Sequence, residues 1–445
     1  MIPFGTQKAP GPAVVLPYYG TAAVSFLILT VLLLLSAGHF TGHFFQPHIL
    51  AITHLATLGW GTMLIFGASH QLLPVVMEVH LYSEKLAKIC YWLLLPGVIL
   101  LVFSFWFFWV GWTMQVGGLL VLLATILYAI NAYRTAKQNK KWNLPAECMV
   151  TAAWWLVITA LLGTLLVFNL RYRFFPAGDI FYLKVHAHLG IAGWFLLLIM
   201  GVGGKLIPMF LLSHKEPGIF VKVSYYGINI ALLGFLIMAF VFNTLAYWPV
   251  FALIGAVSVL SYIVFVRKAY KEAARKKTEL PMTITLVAIG LMILPITLLL
   301  VLALLPKGNP EVVPLSLAYG ISVFGGFITA IILGQTYKTL PFIIFMHRYK
   351  KLIGKMKTPL PKDLYKHHWV KYQFISYIVG IILTIVGVIL QEELLIILGS
   401  IGLVLTAVFY NMNVFFTLTH KPKEENKDDG RRTKQKRGSV RIVEG

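Results

Sequence analysis

The chain has few charged residues and almost no cysteine. Charged residues make up 12% of its 445 residues, against roughly 25% in a soluble globular domain, and hydrophobic residues make up 58%. This composition excludes a soluble enzyme and a soluble nucleic-acid-binding protein. Cys90 and Cys148 are the only cysteines, which excludes a disulfide framework, a c-type haem attachment motif and a four-cysteine iron–sulfur site.

Acidic residues are scarce, and they avoid the apolar segments. All 16 fall in loops, at the ends of apolar runs or in the C-terminal tail, and Glu147 comes nearest to a helix interior. An ionisable side chain inside a bilayer is costly and is usually retained for its chemistry, as in proton relays. The absence of such a carboxylate argues against a proton antiporter or a proton pump.

Long apolar runs fill nearly the whole sequence. Each run has about 20 residues, enough for an α-helix to cross a ~30 Å hydrocarbon core, whereas a membrane barrel shows alternating segments of about 10 residues. The sequence therefore predicts an all-α integral membrane protein with twelve transmembrane helices. The predicted spans lie near 20–37, 49–73, 89–110, 115–133, 148–170, 184–204, 221–243, 248–266, 281–305, 315–337, 372–390 and 394–418.

Positive charge is concentrated in alternate loops. Residues 134–141 carry four Lys or Arg, 267–277 carry six and 347–371 carry eight. Because cytoplasmic loops have an excess of Lys and Arg, this pattern predicts that both termini are cytoplasmic. It also explains the formal net charge of +22 without nucleic acid as a partner.

The C-terminal segment differs from the rest of the chain. Residues 420–445 are rich in Lys, Arg, Glu and Asp and cannot bury enough apolar surface to fold. We predict a disordered basic cytoplasmic tail after a transmembrane domain at 1–419. Its expected role is to set topology and to attract anionic lipids.

The chain also contains an internal repeat. Residues 54–74 and 188–208 are identical at 9 of 21 positions without a gap, and a weaker third copy at 321–341 keeps Gly326, Gly334 and the final proline. Each copy lies four predicted helices after the one before it. The copies therefore predict three four-helix units in parallel orientation, unlike the inverted repeats of many secondary transporters. The units cover about 1–146, 147–280 and 281–419.

Histidines and glycines mark the second and sixth helices. His54 and His188 hold the same position in two copies, and imidazole is a common ligand of metals and haem iron. We predict both as ligands, with hydrogen bonding between helices as the alternative. His186 is two residues from His188, about 200° around a helix, so one of them faces elsewhere. Gly59 and Gly193 either allow close helix packing or make room for a flat cofactor.

A second group of histidines lies in the predicted outer loop before the second helix. His39 and His43 have the four-residue spacing of one helical face, but Gly38 and Gly42 weaken any helix there. His48 follows shortly after them. The three histidines could bind copper or zinc, and a solvated polar loop is the alternative.

With these features the chain resembles subunit I of the haem–copper oxidase superfamily, and especially its smaller oxidase-like and NnrS-type membrane proteins. The shared features are twelve helices, three parallel units, cytoplasmic termini and histidines at the outer ends of the second and sixth helices. The stretch His186-Ala187-His188 before a glycine-rich helix that ends at Pro208 is similar to the His-x-His helix of the NnrS type. The resemblance implies that His54 binds haem b and that His186 or His188 binds a second metal or haem.

The ligand pattern of the terminal oxidases is incomplete in this chain. The third copy has Ile321 and Ser322 at the repeat position and no histidine before His347, and the segment 221–243 has no histidine pair. Most ligands of a dinuclear oxygen-reducing centre are therefore missing. This departure argues against a pumping terminal oxidase.

These observations give three functional hypotheses. The first is a haem protein of the bacterial inner membrane, with copper as a further metal, that takes part in electron transfer or handles nitric oxide or oxygen. Its electron donor would be a protein or a quinol. The second is a membrane transporter or assembly protein without a cofactor. The third is an oxidoreductase related to nitric oxide reductase or quinol oxidase, whose missing ligands come from a partner subunit. A homo-oligomer is a further expectation for the assembly.

Overall fold

The computed structural model describes residues 9–274, 278–306 and 308–422. Within these ranges the chain is α-helical, without a β-strand, and twelve helices are long and apolar enough to cross a membrane, as predicted. The predicted basic tail lies outside the described residues from 423 onward. The helices α1 to α12 are Pro12–Leu35, Pro47–Met77, Glu84–Trp106, Trp112–Ala136, Leu144–Tyr172, Asp179–Leu211, Ile219–Phe240, Trp248–Lys271, Leu280–Leu304, Val312–Arg348, His367–Leu390 and Glu393–Thr419.

Local sequence signals explain where several helices begin. Ser83 caps α3 by accepting a hydrogen bond from the backbone N–H of Leu86 at 3.1 Å, and Asn143 caps α5 in the same way. Pro12 and Pro47 occupy first-turn positions of α1 and α2, where the missing N–H costs no hydrogen bond. The first helix therefore begins well before residue 20, where the apolar run predicted its start.

Three helices form the centre of the bundle. The most apolar window is 72% buried in α2, 78% in α6 and 67% in α10, whereas it is 28–50% buried in the other nine helices. The three are also the longest, with 31, 33 and 37 residues. Nine helices therefore surround a central trio, and their exposed apolar side chains, such as Leu35 and Leu304, contact lipid in a multi-pass membrane protein.

Each central helix changes from α-helical to π-helical geometry at the same place in the repeat. The π segments begin directly after His54, His188 and Ile321, with the spacing of the three sequence copies. Such wider turns are rare, and they are frequent at functional sites. The apolar periodicity of the sequence does not predict them. The segments are Leu55–Thr62, Leu189–Leu196 and Ser322–Ile328.

A neighbouring helix packs against each central helix at a glycine. A Cβ atom at any of these three glycines would lie 3.3 Å or less from a backbone carbonyl oxygen of that neighbour, so the helices approach backbone to backbone. The same type of contact therefore joins α1 to α2, α5 to α6 and α9 to α10. The pairs are Gly67 with Val15, Gly201 with Pro145 and Gly334 with Pro281.

Two hydrogen bonds between side chains connect the central helices. Trp60 Nε1 donates to Thr329 Oγ1 at 3.1 Å, which joins α2 to α10. Trp194 Nε1 donates to Thr62 Oγ1 at 3.0 Å, which joins α6 to α2. Both indole rings are almost completely buried, so each N–H depends on its threonine for an acceptor.

The replacement Thr329→Val is expected to lower the free energy of unfolding by about 1–3 kcal/mol, because it leaves the buried indole N–H of Trp60 without an acceptor. Adding Trp60→Phe should recover part of this loss, since it removes the unpaired donor. Denaturation of the purified protein in mixed micelles measures both variants. A double variant less stable than the sum of the two single changes would contradict this account of the bond.

Candidate functional site

The candidate ligands lie where the central helices begin. We call this end of the bundle, which carries His39, His43, His48, His54, His186 and His188, the histidine end. The opposite end, with the Lys- and Arg-rich loops, is the basic end. All three helices of the trio start at the histidine end, because an even number of crossings separates each from the next.

The structure brings His54 together with His186. Their ring centres are 6.4 Å apart and their planes differ by 19°. Two imidazoles that bind one metal through bonds of about 2.0–2.1 Å have ring centres roughly 6 Å apart. The pair therefore has the separation of two ligands of a single metal atom. It connects α2 to α6, two of the three central helices.

The hydrogen bonds of both rings leave the same nitrogen available. His54 Nδ1 donates to the carbonyl oxygen of Leu50 at 2.7 Å, and His186 Nδ1 donates to that of Thr159 at 3.0 Å. A carbonyl oxygen can only accept, so Nδ1 carries the proton in each ring and Nε2 keeps its lone pair. Metal-binding histidines are usually oriented by such a second hydrogen bond.

Neighbouring helices shape the space around this pair. The ring of His54 stacks on Phe105 of α3 with 4.5 Å between ring centres. In α5, a Cβ atom at Gly163 would lie only 2.6 Å from Cε1 of His186, so the glycine makes room for the imidazole. Phe105 and Gly163 belong to apolar helices without a motif, and the sequence reasoning missed them. A lone glycine inside an apolar run is the only signal that could have indicated Gly163.

His188 faces a different neighbour. Its Nδ1 donates to the carbonyl oxygen of Lys184 at 2.8 Å, and its ring lies 5.9 Å from Tyr319 of α10 at an angle of 17°. Phe235 of α7 packs at the same distance. The two-residue spacing thus directs His186 towards α2 and His188 towards α10, as expected for positions about 200° apart on a helix.

The two pairs hold equivalent places in the sequence repeat. His188 matches His54 in position, and Tyr319 matches His186. At the third boundary, between α10 and α2, the residue equivalent to His54 and His188 is Ile321, which is not polar. Polar side chains therefore mark two of the three boundaries within the central trio at the histidine end.

The loop histidines come together only in part. The rings of His39 and His48 stack with 4.1 Å between centres and 12° between planes, which presents faces and not nitrogens to one another. His43 Nδ1 accepts the backbone N–H of Phe45 at 3.0 Å. No group of three His, Cys, Asp or Glu residues placed to bind a metal ion occurs in the described parts of the chain, and the copper or zinc site in this loop stays a prediction.

The two glycines predicted beside a cofactor contact protein side chains. A Cβ atom at Gly59 of α2 would lie 3.3 Å from Oγ of Ser25 in α1, and one at Gly193 of α6 would lie 2.7 Å from Cβ of Trp155 in α5. Both contacts are tighter than ordinary packing allows. They support the role of close helix packing, which was one of the two explanations left open by the sequence.

Comparison with known proteins does not assign the chain to a family. Neither a family model nor a curated protein matches the sequence. The functional argument therefore rests on the histidine pairs and on the helices that position them.

Proposed function

We propose that the protein is a haem-binding membrane protein of the haem–copper oxidase-like class, in which His54 and His186 would hold the iron of a b-type haem. The observation that carries this proposal is the 6.4 Å separation of two rings that are each held through Nδ1. When bound, the haem would supply one-electron transfer or the binding of a diatomic gas. The protein's own part is to hold the iron between two central helices.

The donor set fits haem better than a bare ion. A structural zinc site takes four protein ligands, and a catalytic one takes three, whereas the described residues show no such group. A haem brings four nitrogen ligands of its own and needs only two from the protein. Two neutral imidazoles also avoid a buried charge, which is costly in a membrane interior.

The proposed architecture is three parallel four-helix units around the central trio, as in oxidase subunit I. The repeated π segments and glycine contacts support it. The tryptophan–threonine bonds also support it. In the repeat, Phe327 is equivalent to the two donor tryptophans, and Leu196 is equivalent to the two acceptor threonines. The residues in place of donor and acceptor are thus both apolar at the boundary between α6 and α10, as expected if the three positions form one ring.

Purified protein made with an ample haem supply is expected to contain one or two haems per chain. The pyridine haemochrome assay measures the haem content, and an intense Soret band accompanies it. A chain free of haem under these conditions would contradict the proposal. That result would favour a transporter or assembly protein whose histidines only connect helices.

We also propose that the histidine end faces away from the cytoplasm in a bacterial inner membrane. A fluorescent reporter fused after Gly445 should then be active, and alkaline phosphatase inserted between α9 and α10 should be active as well, since the phosphatase folds only outside the cytoplasm. The basis is the bias of Lys and Arg to cytoplasmic loops. The reverse activities would place the histidines on the cytoplasmic side.

A further inference from the structure

A cavity of about 90 Å³ lies between the central helices, on the side of the π segments towards the basic end. Its walls come from α2, α6 and α10, including Ala68, Ile199 and Ile331, and Thr285 of α9 closes one side. The nearest lining residue of α2, Leu64, is ten positions beyond His54, or roughly 15 Å along a helix. The cavity is therefore separate from the candidate haem site.

The hydroxyl groups along the walls are occupied by hydrogen bonds. Thr336 Oγ1 bonds to the hydroxyl of Tyr410 at 3.0 Å, and Thr339 Oγ1 bonds to the hydroxyl of Tyr19 at 2.9 Å. The walls are therefore mainly apolar, with Oε1 of Gln335 as the one buried polar atom among the lining side chains that has no partner.

The polarity of the lining indicates whether the cavity holds water or an apolar molecule. A buried water makes two to four hydrogen bonds, and empty apolar cavities stay dry but bind apolar molecules such as benzene or xenon. The cavity is lined mainly by apolar side chains, and Gln335 Oε1 is its one buried polar atom without a partner, which favours an apolar occupant over an ordered water. Its volume is below the ~150 Å³ of a cavity that accepts benzene, so an aromatic ring such as that of a quinol does not fit.

We propose that this cavity is a binding site for a small nonpolar gas, of the size of a xenon atom or a diatomic molecule. The site lies in the membrane interior, where nonpolar gases dissolve better than in water, so it can fill from the surrounding lipid. The proposal goes beyond haem binding and does not depend on it. Occupancy of the cavity and haem content are measured separately and can fail separately.

Xenon tests the proposal directly. Crystals of the full chain under xenon pressure should show one xenon atom among Ala68, Ile199 and Ile331, and xenon NMR of the protein in nanodiscs should show a saturable component. Absence of xenon from the cavity, with xenon bound elsewhere in the same crystals, would overturn the proposal.

Two substitutions change the cavity in opposite directions. Ala68→Leu adds side-chain volume at the wall and should remove the saturable xenon component, whereas Ile331→Ala enlarges the space and should raise xenon affinity several-fold. Ile237→Ala removes the same atoms from a lipid-facing position of α7, where the side chain is 48% exposed, and should leave xenon binding unchanged. If Ala68→Leu does not fold, Ile331→Ala still decides, because an affinity equal to that of Ile237→Ala contradicts the site.

Discussion

Glycine at position 54 or 186 is expected to abolish the spectrum of the haem that we propose these two histidines bind. Under the proposal, each of His54→Gly and His186→Gly removes one of the two histidines that would hold the haem, and a haem with a single remaining protein ligand binds weakly or changes its spectrum. Absorbance spectra and the haemochrome assay on purified variants measure the loss. If the histidines only hydrogen-bonded to neighbouring helices, each change would cost about 1 kcal/mol of stability with no spectral effect.

Free imidazole distinguishes a lost ligand from lost packing. A cavity left by the removed side chain can admit imidazole from the medium, and the spectrum of His54→Gly should return at millimolar imidazole. His43→Gly is the matched control, since His43 lies exposed at the same end of the bundle and should affect neither spectrum nor haem content. Unchanged spectra in both the His54 and the His186 variant would remove the proposed ligand pair.

His188→Gly has a different expected outcome. It should leave the spectrum of the haem at His54 and His186 intact, because the ring of His188 packs against Tyr319 and not against this pair. If the wild-type chain holds two haems, the content of this variant should fall to one. Loss of all haem from His188→Gly would show that His188 is a ligand of the first haem.

The second large effect is expected from Gly163→Ala. The added methyl group would lie 2.6 Å from Cε1 of His186, so the ring must shift and its bond to Thr159 must lengthen. We expect weaker haem binding and a loss of about 1–3 kcal/mol of stability from overpacking. Haem titration and denaturation in micelles measure the two effects.

Gly255→Ala is the matched control for this change. Gly255 lies in α8, and a Cβ atom there meets nothing within 4 Å. Alanine has the higher helix propensity, so this variant should be at least as stable as the wild type and should keep its haem. Equal behaviour of Gly163→Ala and Gly255→Ala would show that the space beside His186 is not restricted.

The sequence predicted the twelve helices because length and hydropathy suffice to identify membrane spans. It also aligned His54 with His188, but equivalent positions in a repeat need not touch one another. Whether His186 or His188 faces His54 depends on how α6 is rotated against α2, which apolar sequence does not specify. The role of Thr159 could not be predicted from the sequence either. It contributes a backbone oxygen, which a residue of any type would have.

The π segments were missed for another physical reason. Apolar periodicity reports which side of a helix is buried, and a short change from 3.6 residues per turn hardly alters that pattern. The three-histidine loop site for copper or zinc stays a prediction, because residue spacing does not specify how the rings are oriented. His39 and His48 approach closely, but they do so face to face.

The bonds of Trp60 and Trp194 leave the central trio mechanically asymmetric. Both bonds involve α2, which is thereby tied to α10 and to α6. At the boundary between α6 and α10 the equivalent residues are Leu196 and Phe327, and apolar side chains can slide past one another without breaking a directional bond. We expect this boundary to open most readily in thermal fluctuations, so a small molecule already inside the bundle would pass between α6 and α10 more easily than across the other two boundaries.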